Sequence, residues 1–461
     1  MRRGKGSGFV LLIGLMVLWS DTSFAAATTE EVMRRLNEQQ SIIERQQKEI
    51  ERIRQQLKNQ KKTVSPVQET QEEKIKPETK EKINEAIPVA GIPKWINSIR
   101  ISGDLRLRYE GLYNREQRQS DGSAVDLPDR HRYRIRARLF FDANMTDEIS
   151  THFMICTNQD SNQEATTTNQ SFTDDFNDKG IYLHQAYTTY KPDRLNGLEI
   201  TAGKFKNTFL HTDIMWDPDV NPEGIYERYQ CNRWGVFRPF IHLGQMAVNE
   251  EDLESDDAAL YINQVGFDWE IGQVKWTLAG SYYDWANLHN SEFLHKAEYK
   301  TGGGNTFRLD GNGILQYLYD YNLLEGISFI KFRLGTQPVN LIFDYIVNTA
   351  DNVQNDQDTA FFAGFKLGEE KEKGDWSLFY KYARIETDAV IGSMNDQDFY
   401  GANRKGHKVM LGYVLFEGVG LRTAFFHTDP VTAWDPGSVT FDKNKNREHE
   451  DRLQIDFLFD F

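Results

Sequence analysis

The chain closes on Arg452-Leu453-Gln454-Ile455-Asp456-Phe457-Leu458-Phe459-Asp460-Phe461. In an extended strand successive side chains point to opposite faces. Leu453, Ile455, Phe457, Phe459 and Phe461 then share an oily face, while Arg452, Gln454, Asp456 and Asp460 share a wet one. A strand of this kind needs an apolar medium on one side and water on the other.

Working back from the end, the same alternation recurs. Val409, Leu411, Tyr413 and Leu415 oppose Lys408 and Gly412. Trp376, Leu378, Tyr380 and Tyr382 oppose Ser377 and Lys381. Val339, Leu341, Phe343, Tyr345 and Val347 oppose Asn340, Asp344 and Asn348. Near residues 131–143, Tyr133, Ile135, Ala137, Leu139 and Phe141 alternate with Arg132, Arg134, Arg136 and Arg138. A helix would spread those four arginines around its circumference, and a strand gathers them on one face. Near residues 99–110, Ile99, Ile101, Leu105, Leu107 and Tyr109 face away from Arg100, Asp104, Arg106, Arg108 and Glu110.

Connections between these strands alternate in length. Short links are expected near 144–148, 191–197, Arg238-Pro239, 270–273, 335–338, 369–374 and 416–418. Long ones are expected near 111–129, 159–179, 206–225, 249–258, 286–325, 349–357, 387–403 and 429–450. This rhythm predicts an all-β chain, an antiparallel transmembrane barrel of about sixteen strands with both ends on one rim. Residues 312–322 look strand-like but break the rhythm, and are read as a hairpin within a long loop.

Composition agrees with that reading. After the N-terminus no run of about eighteen apolar residues occurs, which excludes helical membrane spans. A mean hydropathy of −0.62 is what alternation produces, because lipid-facing and water-facing residues average out. Aromatics reach 13%, with 29 Phe and 20 Tyr, and such rings suit membrane interfaces. A net charge of −15 argues against a nucleic-acid partner. Cys156 and Cys231 do not make a disulfide framework, and spacing does not say whether they pair.

The N-terminal residues divide into three stretches. Residues 1–25 read as a secretory signal: Arg2, Arg3 and Lys5, then an apolar run from Phe9 to Trp19, then small residues at Ser23-Phe24-Ala25 or Ala25-Ala26-Ala27. Residues 28–62 read as an α-helical coiled coil. Leu36, Ile43, Ile50 and Leu57 recur every seven residues, and Val32, Gln39, Gln46 and Ile53 fill the second core position. A helix from Val32 to Leu57 spans about 40 Å at the usual rise. Residues 63–94, with Pro66, Pro77, Pro88 and Pro93 among Lys and Glu, read as a linker in the periplasm. Trp95 and Ile96 open the barrel region, 95–461.

Chains that end on an alternating strand with a final aromatic resemble bacterial outer-membrane β-barrels. The opening Ile101-Ser102-Gly103-Asp104-Leu105-Arg106-Leu107-Arg108-Tyr109-Glu110 resembles the first strand of the porin family called "putative porin". The arginine-rich second strand, Gln185-Ala186-Tyr187 and the segment from Gly203-Lys204 to Trp216-Asp217 add to the likeness. The resemblance covers roughly residues 97–461 and implies a trimer-forming channel in the outer membrane of a Gram-negative envelope, in contact with lipid and lipopolysaccharide. The coiled coil resembles extensions that help trimerise or touch the cell wall.

For function, residues 206–225 stand out. In sixteen-stranded porins the loop at this position folds inward. Phe209, Leu210, Ile214, Met215 and Trp216 suit packing on the wall, while Asp213, Asp217, Asp219 and Glu223 suit the pore. These acids are expected to oppose pore-lining Arg106, Arg108, Arg132, Arg134, Arg136 and Arg138, giving a field that filters solutes by size and charge. Asp104 and Asp142 are expected to neutralise part of the ladder. Asp217, Asp219 and Asn221 hint at calcium, but Pro222 and Arg228 stand where an EF-hand needs Gly and Glu. Calcium in the outer loops is left open. No His-Glu-x-x-His, Gly-x-Ser-x-Gly or phosphate loop occurs, and Gly302-Gly303-Gly304 precedes no helix. The reading is a passive porin, not an enzyme. Its rivals are an envelope anchor tethered through the coiled coil, and a secreted soluble β-protein. Lumen arginines favour anions, whereas the acidic loop favours cations.

Overall fold

The computed structural model describes residues 98–118, 124–158, 165–231, 234–250, 257–289, 302–309, 315–351, 353, 356–432 and 449–461. The signal, coiled-coil and linker stretches, with Trp95 and Ile96, lie outside the described residues.

Sixteen strands close an antiparallel barrel. They are β1 Arg100–Tyr113, β2 Arg130–Asn144, β3 Ile149–Thr157, β4 Ile181–Tyr190, β5 Leu198–Lys204, β6 Glu223–Gln230, β7 Phe237–Asn249 and β8 Ala258–Ile271. The second half is β9 Val274–Ala286, β10 Tyr321–Leu334, β11 Gln337–Asn348, β12 Thr359–Gly368, β13 Trp376–Ile385, β14 Arg404–Phe416, β15 Val419–Pro430 and β16 Glu450–Asp460. Each pairs with its neighbour in sequence, and β16 returns to β1 from Asp104↔Asp460 to Tyr113↔Asp451. The two-residue Gln170–Ser171 adds to β2 beyond the end of β3. Closure removes every sheet edge, so no backbone donor or acceptor row is left facing lipid.

The last residue completes the seam. The N–H of Phe461 donates to the carbonyl of Gly103 at 3.0 Å, and the N–H of Gly103 donates back at 2.8 Å.

The outer wall is apolar. Ile101, Tyr133, Leu183, Val265, Leu324, Phe343, Leu411 and Phe425 are all exposed on it. A continuous apolar wall of this extent is rare on soluble monomers and is the lipid-facing band of a barrel. At the short-turn rim Trp234, Phe237, Phe267, Trp269 and Trp276 form a chain of ring contacts with centroids 5.1–6.5 Å apart. Rings gathered there suit the membrane–water boundary.

Two details depart from the sequence reading. The short link expected at Arg238-Pro239 lies instead at 231–236, and Pro239 sits inside β7. Its carbonyl accepts from the Cys231 N–H at 2.9 Å, and the β6 ladder begins only at Phe240↔Gln230. The missing proline N–H therefore falls at the end of a ladder, where proline is tolerated. Asp142 does not meet the arginines: it faces His152 at 2.6 Å across the β2–β3 pair. Residues 315–317 pair with 307–309 as a hairpin within the fifth long loop, apart from the barrel sheet, whereas Tyr321 and Asn322, read from the sequence as part of that hairpin, open β10.

Candidate functional site

The lumen has two unlike halves. From β8 to β13 its wall is mostly apolar: Ile262, Tyr283, Trp285, Leu323, Ile346, Phe362 and Ile385 are buried there, with Glu325, Asp344 and Lys381 buried among them. From β16 through β1 to β2 it is charged.

On the charged side, register sets arginines against one another. Arg106 lies opposite Arg136, and Arg108 opposite Arg134. Such juxtaposition is costly without intervening acids, and the neighbouring strands provide them. Arg108 makes a bidentate pair with Asp456 of β16, at 2.7 and 2.8 Å. Asp104 accepts from Arg136 at 2.9 Å and from Arg138 at 2.7 Å. Glu110 holds Arg132 and lies 3.7 Å from Arg134. Arg106 donates to the side-chain oxygen of Asn169 at 2.6 Å.

The third long loop, 205–222, folds into the barrel. Its apolar residues pack on the apolar wall: Phe209 on Tyr226 with centroids 4.9 Å apart, and Trp216 on Trp285 at 5.8 Å. Leu210 is fixed by two hydrogen bonds with the Gln264 side chain, at 2.9 and 2.8 Å. The Thr212 hydroxyl donates to Asp344 of β11 at 2.6 Å.

The four acids singled out from the sequence take different places. Asp219 reaches the arginine wall, 3.9 Å from Arg138, and accepts from the Thr168 N–H at 3.1 Å. Burial alone would raise its carboxyl, but Arg106, Arg136 and Arg138 hold it below the usual range. Asp213 meets lysines, not arginines: Lys381 of β13 at 2.7 Å and Lys408 of β14 at 3.7 Å. Against the burial penalty, these two cations hold its carboxyl down at about 2. Among the described residues, Asp217 makes no ion pair with a cation. Burial, with Asp219 and Asp396 nearby, pushes its carboxyl well above the usual range. Glu223 is the first residue of β6 and pairs with Lys204 at 2.6 Å. Asp217, Asp219 and Asn221 do not converge on one point. The Asp217 carboxylate accepts from the Asp219 N–H, and the Asn221 oxygen accepts from Gln185.

Sequence reasoning missed a second inward segment, the seventh long loop, 386–403. It meets the third loop through two backbone hydrogen bonds, Asp217 N–H to the Met394 carbonyl at 2.8 Å and Asp396 N–H to the Asp213 carbonyl at 2.9 Å. Asp396 shares Lys381 and Lys408 with Asp213, at 3.5 and 3.3 Å. Asp398 reaches the arginine wall, 3.2 Å from Arg108 and in contact with Arg452. The fifth loop clamps it from the other side. Asn305 donates to the carbonyls of Thr387 and Val390 at 2.7 Å each, and Thr306 donates twice to Asp388. Gly304 explains the glycine run: at φ +92°, a Cβ there would stand 2.2 Å from the Ala402 carbonyl. The run lets two backbones approach; it does not cradle a phosphate. A signal for the seventh loop was present, since Val390, Ile391, Met394 and Phe399 mix with Asp396 and Asp398 as the third loop's apolar residues mix with its acids.

Cys156 and Cys231 are both free. Among solved structures, the chain is similar to OprB of Pseudomonas putida, with TM-score 0.49 and 12% identity over 79% of this chain and 95% of that one. OmpT of Vibrio cholerae in its trimer form gives 0.45 and 11% over 79% and 99%. OmpF of Salmonella typhi in complex with daunomycin gives 0.43 and 10% over 79% and 97%. Comparison with curated proteins finds no match. The model of the family described as "Putative porin" matches residues 125–316 and 319–442, well over half of the chain, and the protein belongs to that family.

Proposed function

We propose that this outer-membrane porin conducts small hydrophilic solutes through a narrow passage confined to the charged half of its lumen. The observation that carries this is the division of the interior. The third, fifth and seventh loops fill the apolar half, and Asp219 and Asp398 stand at the inner border of the charged half, across from the arginines of β1, β2 and β16. Opposed charge at such a border orients polar solutes and discriminates between ions.

The passage prefers anions. Arg106, Arg108, Arg132, Arg134, Arg136, Arg138 and Arg452 outnumber Asp104, Glu110, Asp219, Asp398 and Asp456. Transport needs no chemical step, and solutes move down their gradient. Reversal potentials across a salt gradient in a planar bilayer test this. A shift toward the chloride potential supports it, and a shift toward the potassium potential overturns it.

The protein assembles as a homotrimer, with residues 28–62 joining three copies on the periplasmic side; the heptad spacing of Leu36, Ile43, Ile50 and Leu57 supports this part. The mass of the detergent-solubilised full chain, compared with a chain lacking 28–62, tests it. The density of loops inside the barrel favours a second reading, an envelope anchor with a closed barrel. Bilayers that stay silent with folded protein would favour it.

A further inference from the structure

At the long-loop rim, on the outer face of the barrel, three side chains converge. His427 stands near the end of β15, Asp451 near the start of β16, and His449 just before it. The Nδ1 of His427 lies 2.7 Å from one carboxylate oxygen of Asp451, and the Nε2 of His449 lies 3.5 Å from the other. The two imidazole rings are 4.8 Å apart between centroids. One ligand atom from each of the three residues falls within 4.8 Å of the other two. A fourth group is at hand: the side-chain amide of Asn114 lies 3.0 Å from His449 Nε2 and 3.4 Å from Asp451.

We propose that His427, His449 and Asp451 form a binding site for a first-row transition-metal dication, Zn²⁺ being the reference ion. Two imidazoles and one carboxylate suit zinc, copper or nickel, whereas calcium and magnesium require all-oxygen shells. Zinc bonds of about 2.0–2.2 Å set tetrahedral ligand atoms about 3.3–3.6 Å apart, so the 2.7 Å contact of His427 with Asp451 must open and the widest spacing must close by roughly an ångström. Side-chain rotation supplies that, because His427 is about two-fifths exposed and His449 nearly half. The Asn114 amide oxygen, after a flip, or a solvent water completes four-coordination.

The position gives the site a consequence. His427 and His449 stand on either side of the eighth long loop, and Asn114 belongs to the root of the first. A bound ion joins His427 of β15 to Asp451 of β16 and to His449, next to the barrel seam. The site faces away from the lumen, so occupancy affects the outer rim and leaves the passage alone.

The test uses the full-length protein in detergent, stripped with EDTA and titrated with zinc chloride by calorimetry and against a zinc-sensitive dye. About one tight equivalent per chain is expected. His427→Ala and His449→Ala should each weaken it by at least about tenfold, the scale on which even outer-shell partners of a metal act. His131→Ala, on the same outer face but outside the cluster, should leave it unchanged, and calcium should not compete. Unaltered zinc binding in a variant that carries both His427→Ala and His449→Ala would overturn the proposal, as would calcium competing with zinc. Should the variants fail to fold, copper-loaded wild-type protein decides. Electron paramagnetic resonance should show hyperfine coupling to two imidazole nitrogens, and a spectrum without nitrogen coupling would overturn the proposal.

Discussion

The ammonium of Lys381 lies 2.7 Å from the carboxylate of Asp213, joining the wall strand β13 to the third loop inside the lumen. Lys381 is fully buried, with the Phe399 ring centroid 4.4 Å from its Nζ. Asp396 and Lys408 complete a four-charge cluster in which each lysine touches acids from two loops. This clasp holds the third and seventh loops against one side of the barrel.

Lys381→Met should therefore loosen both loops. Removing one partner of a buried pair costs about 3–5 kcal/mol, largely because the other charge is left uncompensated. Lys408 still faces both acids, so the loss should fall at the lower end. Urea unfolding in detergent reads the stability, and noisier single-channel current reads the loosened loops. A variant as stable and as quiet as wild type would remove the clasp from the account.

The two neighbouring acids Asp217 and Asp219 should behave differently. Burial pushes the Asp217 carboxyl upward and favours its neutral form, so Asp217→Asn should shift selectivity less than the same change at Asp219. Asp219 is ionised beside three arginines, so Asp219→Asn should strengthen the preference for anions. Reversal potentials of the two variants in the same salt gradient check this. Equal shifts would contradict the assignment.

Acid should release the clasp late. An unfolded aspartate titrates at about 3.9, whereas Asp213 in the folded protein titrates at about 2. A depressed folded value means that its contribution is complete above about pH 4 and is lost as pH falls through about 2. Wild type should therefore lose stability across that window, and Asp213→Asn should lose less there. Unfolding midpoints at a series of pH values measure it. Parallel curves for the two proteins would refute it.

The seam depends on Gly103. A Cβ built there meets the Phe461 ring at 2.7 Å and the Arg138 carbonyl at 2.8 Å. Gly103→Val should displace the terminal ring and disturb the paired hydrogen bonds between residues 103 and 461, at about 1–3 kcal/mol of overpacking. The share of chain that folds in detergent, read from heat-modifiable gel mobility, should fall. Unchanged folding would show the seam to be slack.

The barrel was legible because its physics is local. Alternation in Leu453–Phe461 and in Arg132–Phe141 requires only that each strand have one oily face, and loop lengths then set direction and number. Pro239 misled because proline marks turns more often than ladder ends. The partners of the charges were not legible in the same way. Arg108 meets Asp456, 348 residues away, through closure of the seam, and no local pattern encodes that pairing. The seventh loop was overlooked because its apolar residues follow no period, and only its contact with the third loop gives them a purpose.

Single-channel recording of the purified full-length protein in a planar bilayer bears most directly on the whole account. Discrete conductance steps, with a reversal potential displaced toward that of chloride, are the predicted result. Folded protein that gives no steps, or steps selective for potassium, would contradict it.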